Sequence, residues 1–118
     1  MDAATPVPQW ALRGVFFSVT RTVGELSVVC ETAAVPPGVQ AEHDWRAFAV
    51  QGPLNFGLIG IVAELSSQLA AAAVSVLVVS TYDTDYLLVR EVDTNRSVAA
   101  LREAGHSVLS ETDSERSI

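Results

Sequence analysis

GPLNFGLIGIVAELSSQLAAAAVSVLVVSTYDTDYLLVRE, residues 52–91, decides the fold of this 118-residue chain. Gly52 and Pro53 turn the backbone, and Asn55 suits the cap of a following helix, because its side chain can accept a free N–H of the first turn. Leu54 before that cap and Ile59 inside it have the spacing of a hydrophobic staple. Leu58, Ile61, Val62, Leu65, Leu69 and Ala72 recur at helical spacing while Glu64, Ser67 and Gln68 face away, so one helix face goes onto a sheet. Gly57 and Gly60 each cost about 1 kcal/mol against Ala in a helix interior. They point either to close backbone approach or to simple helix-on-sheet packing. Residues 74–80, VSVLVVS, are a nearly unbroken apolar run and read as a central strand covered on both faces. Only residues 81–84 separate them from a strand at 85–91, too few for a parallel crossover, so the two form a hairpin.

Working outward, residues 45–51 alternate, with Trp45, Ala47, Ala49 and Gln51 on one face and Arg46, Phe48 and Val50 on the other, a strand. Downstream, Asp93 caps a second helix carrying Val98, Leu101 and Ala104 on one side, Gly105 is placed to stop it, and residues 106–110 make a last strand. Residues 45–110 thus read strand, helix, strand, strand, helix, strand, an α+β chain of the split βαβ, ferredoxin-like kind. Before them, GVFFSVT at 14–20 and LSVVC at 26–30 are strands joined by a polar turn or helical fragment at 21–25. Two strands with so short a link must add to another sheet to bury both faces. The Pro-Pro-Gly loop at 35–44 is the internal boundary, residues 1–9 with Pro6 and Pro8 form an extended arm, and residues 112–118 form a frayed polar tail.

With 49% hydrophobic and 18% charged residues, the chain has the means to bury a core. Its formal charge of −7, with Arg as its only strongly basic residue, repels phosphate backbones and anionic lipid, which excludes nucleic acid and membrane surfaces as expected partners. Cys30 stands alone, so it forms neither an intrachain disulfide nor a Cys-based zinc site and reads as a small buried hydrophobe. The first ten residues, MDAATPVPQW, lack the basic patch and apolar run of a signal peptide. The apolar tract at 69–79 is broken by Ser75 and is shorter than the roughly 20 residues that span a bilayer. A cytoplasmic location is the expectation.

No phosphate loop, nucleophile elbow, HExxH or CxxC occurs, and His43 in a loop and His106 at a strand start make no triad. No catalytic residue, metal ligand or cofactor is assigned. The remaining polar concentration is Ser80-Thr81-Tyr82-Asp83-Thr84-Asp85, which the hairpin brings to one end of the sheet. The helix start at 55–58 can lie near it. Free amides there suit a carboxylate, and the carboxylates of Asp83 and Asp85 suit an ammonium. That combination matches a zwitterionic amino acid, while Asp and Thr are equally at home in a purely structural turn.

Residues 52–89, with VSVLVVSTYDTDYLLVRE as the most specific part, resemble the ACT domain, a small amino-acid-binding regulatory module. The likeness is greatest to the branch shared by small bacterial ACT-like proteins and CASTOR-type cytosolic arginine sensors. FFSVTRTVGELSVVC and the WRAF strand extend it over most of residues 10–110. The resemblance implies a ferredoxin-like ACT domain at 45–111, a truncated ACT-like half at 10–44, and ligand held between units that associate side by side, often across a homodimer. It also implies, by position, that Asn55, Phe56, Gly57, Leu58 and Val62 line the ligand and that Thr81, Tyr82 and Asp85 close over it, with Asp85 facing a cationic group. The chain departs from the arginine sensors at Leu58, where they carry a carboxylate, and from bacterial relatives at Asn55, where Asp is common. No particular ligand is named by it.

Three functions follow as expectations. The first is a non-catalytic sensor that binds an amino acid or similar metabolite and acts on a separate effector protein. The second is a ligand-free dimerisation module. The third is a small enzyme using Asp83 or Asp85 as base with Tyr82 or Tyr86 as donor.

Overall fold

The computed structural model of the chain describes residues 1–50 and 60–109. The chain divides into two compact units, Met1–Asp44 and a second that starts at Trp45.

In the first unit, β1 (Phe17–Arg21) and β2 (Leu26–Cys30) pair antiparallel with Phe17 opposite Cys30 and Arg21 opposite Leu26. Their link is a tight turn rather than a helical fragment. The Thr22 N–H donates to the Glu25 carbonyl at 2.9 Å, and the Thr22 hydroxyl accepts the N–H groups of Gly24 and Glu25 at 3.1 Å. β1 begins three residues later than its composition suggests. Gly14 stands at φ +89 and the Val15 N–H goes to the Glu31 carboxylate, so this segment answers a side chain instead of a ladder. The pair forms a two-stranded sheet of its own among the described residues, not the expected addition to another sheet. Leu26 instead exchanges hydrogen bonds with Met1, whose ammonium and carbonyl both lie 2.9 Å from its backbone. Nor is the N-terminal segment extended throughout. The Arg21 guanidinium collects the carbonyls of Ala3 and Thr5, Thr5 N–H returns to the Asp2 carbonyl, and residues Gln9–Leu12 form one 3-10 turn that buries Ala11.

In the second unit, β3 (Trp45–Ala49), β4 (Leu77–Ser80) and β5 (Asp85–Arg90) form an antiparallel sheet in the order β3-β5-β4. Side chains alternate across a sheet, so Phe48, Leu87 and Val78, opposite one another, share a face with Val89 and Val50. That face carries the core, in which Leu87 and Val89 meet Leu65 and Leu69 of α1 (Ile61–Ala71), Leu101 of α2 (Thr94–Glu103), and Val74. Both helices therefore cover one face. With the helix after β3 and the hairpin β4–β5, this is the ferredoxin-like α+β arrangement the element order implies.

The central strand is β5, with Leu87, Leu88 and Val89 at 2%, 0% and 0% exposure, and not β4, whose apolar run suggested it. β4 is an edge in this sheet, leaving Leu77 and Val78 at 41% and 38% exposure. It also starts late, because Val74 is spent on finishing α1. There the Ala73 N–H donates to the Ala70 carbonyl and the Val74 N–H to the Leu69 carbonyl, a Schellman cap with Ala73 left-handed at φ 61. α2 ends in the same cap, with Gly105 at φ 98 and the His106 N–H on the Leu101 carbonyl. At its start, the Asp93 carboxylate pairs with Arg96 and makes no cap hydrogen bond, while the Ser97 hydroxyl donates to the Asp93 carbonyl at 2.7 Å.

Two expectations fail at helix and strand ends. α1 begins at Ile61 and not after Asn55, because Gly60 adopts φ 84 outside the helix and serves as its N-cap residue, its carbonyl accepting the first helical bond from Glu64. Asn55 and the Leu54–Ile59 staple lie outside the described residues. Residues 106–109 form no strand, since the Val108 carbonyl accepts the Arg102 guanidinium at 2.8 Å in place of a ladder partner.

Candidate functional site

The hairpin turn is built by two threonines. Thr81 N–H donates to the Thr84 carbonyl at 2.8 Å; the Thr81 hydroxyl donates to the same carbonyl and accepts the Thr84 N–H, both at 3.1 Å. This leaves Tyr82 and Asp83 as a two-residue tip, with Tyr82 86% exposed and Asp83 exposed. Immediately inside the turn, Ser80 and Asp85 face each other across the strands, and the Ser80 hydroxyl donates to Asp85 Oδ1 at 2.5 Å. The Asp85 carbonyl accepts the Val50 N–H at 2.9 Å, so its backbone is held from the β3 side as well. Asp85 is two residues from Leu87 and Ser80 two from Val78, which places both on the helix-bearing face, beyond the apolar core.

β3 ends beside this corner, and α1 runs back from that end to deliver Val74 toward the start of β4. The first turn of α1 therefore lies at the hairpin end of the sheet. Ile61 packs against the core alongside Val50, and Val62 beside it is half-buried. Of the residues expected to form the site, Thr81, Tyr82, Asp83 and Asp85 share one turn, and Val62 sits on the helix start at the same end. Asn55, Phe56, Gly57 and Leu58 lie outside the described residues. The amides left over by the start of α1 belong to residues 61–63, later than the 55–58 expected, because the helix begins at Ile61. Ser80 and Thr84 were missing from the expected set. A two-residue loop already places 80 opposite 85 and 81 opposite 84, so counting register would have found them.

The sheet is charged unequally along its length. Residues 80–85 hold two carboxylates and no basic side chain. At the other end, the Arg90 guanidinium lies 4.9 Å above the Trp45 ring and Arg46 pairs with Glu91 at 2.6 Å. Tyr86 follows Asp85 in the strand and faces the opposite side of the sheet. A groove of about 370 Å³ runs between the C-terminal ends of α1 and α2, lined by Gln68, Ala71, Ala72, Ala100, Glu103 and Ala104. Its walls are largely alanine methyls. No group of three or more His, Cys, Asp or Glu residues among those described is arranged to hold a metal ion. Cys30 is buried, and desolvation first and then the Glu31 carboxylate push its thiol pKa up, away from thiolate chemistry.

An antiparallel sheet with two helices on one face and a turn of hydroxyls and carboxylates at one end defines a small α+β domain of ferredoxin-like architecture. The family model for the ACT domain matches residues 40–103, more than half of the chain, and a second family model, describing an N-terminal domain, matches residues 1–38. The chain belongs to the ACT domain family, whose members have regulatory, small-ligand-binding roles. It is also similar to the crystal structure of protein Atu0741 from Agobacterium tumefaciens, with 41% sequence identity and a TM-score of 0.88 over 94% of this chain and 83% of that one. The likeness therefore takes in both units. Among the described residues, no helix is long and apolar enough to cross a membrane.

Proposed function

We propose that this chain is a non-catalytic sensor that binds an amino acid or a similar small metabolite at the hairpin end of its ACT domain, between copies associated side by side as a cytoplasmic homodimer. The observation that carries this is the meeting of two opposite demands at one sheet end. Asp83 and Asp85 offer negative charge, and the first turn of α1 offers a carboxylate amides that have no acceptor within the helix. In this reading Thr81, Tyr82, Asp83 and Asp85 close over the ligand, Val62 and residues 55–58 line it, and the truncated half at 10–44 is a remnant of a second ACT-like unit. The bound state is passed to a separate effector protein.

A thermal-shift screen against the amino acids and their biosynthetic intermediates tests it. A ligand that binds only the folded chain, present at a hundred times its dissociation constant, adds about 2.7 kcal/mol of stability. A hit abolished by Asp85→Ala supports the sensor. A flat screen at millimolar concentrations overturns it and favours a second reading, in which association alone is the function. That reading is motivated by β4, which pairs on one side only with another strand among the described residues and leaves Leu77 and Val78 exposed. A monomer in sedimentation removes it.

A further inference from the structure

We draw no further inference here: the strongest candidate, the groove of about 370 Å³ between α1 and α2 walled by Ala71, Ala72, Ala100 and Ala104, is an apolar surface for which nothing in the structure shows what covers it.

Discussion

The two helices end in the same cap built on different residues, and this makes a paired experiment. Ala73 and Gly105 hold equivalent left-handed positions, at φ 61 and φ 98. An L-residue there is disfavoured by roughly 1–2 kcal/mol, a cost glycine does not bear. Against that, glycine loses about 0.4–1 kcal/mol more conformational entropy on folding. The difference predicts that Ala73→Gly stabilises the protein by about 0.8 kcal/mol and that Gly105→Ala destabilises it by about the same amount. Sterics do not complicate the second change, since among the described residues beyond its chain neighbours and the adjoining helix backbone none comes within 4 Å of the Cβ that would be added at Gly105. Urea unfolding at 25 °C, followed by circular dichroism, measures both. The midpoints should move in opposite directions with unchanged m-values. If Ala73→Gly lowered the midpoint, or if both variants moved it the same way, the capping account would be refuted. The stakes reach the candidate site, because the α1 cap buries Val74 and so sets where β4 starts and how the hairpin is registered.

Leu87 is 2% exposed at the centre of the core, so Leu87→Ala should cost about 2–5 kcal/mol in chemical denaturation, whereas the same change at the exposed Leu77 of β4 should cost well under half of that. Cys30 gives a pH effect. A thiol whose native pKa is raised binds its proton more tightly folded than unfolded, so its contribution is complete below the ordinary thiol value, about 8.5, and is lost as pH climbs through the raised native value. Wild type should therefore lose stability on alkaline titration more steeply than Cys30→Ala, and native Cys30 should react with thiol reagents far more slowly than the unfolded chain. Equal alkaline slopes would dismiss the thiol as a contributor.

Local chemistry made much of this fold legible. LSVVC is β2 residue for residue, Asp93 and Gly105 bracket α2, and four residues between two β-branched runs gave the hairpin. What escaped depended on pairing at a distance. An apolar run such as residues 74–80 looks central by composition. Whether it is an edge is decided by which strand β3 pairs with, and β3 pairs with β5. The α1 start was misplaced because helical spacing at residues 58–72 continues through Gly60, and periodicity does not register a left-handed φ. In the site, acids and hydroxyls in a turn were visible as residue types, but the bond between Ser80 and Asp85 needed register.

That register has an evolutionary consequence. Thr81 and Thr84 close the turn with three hydrogen bonds to each other, and those three bonds use neither the side chain of Tyr82 nor that of Asp83. A shift of one residue in β5 would send Leu87 and Val89 to the wrong face. The tip is thus open to substitution and closed to slippage. Side chains at positions 82 and 83 can be exchanged without changing the register, on a frame whose length is held constant by the core behind it.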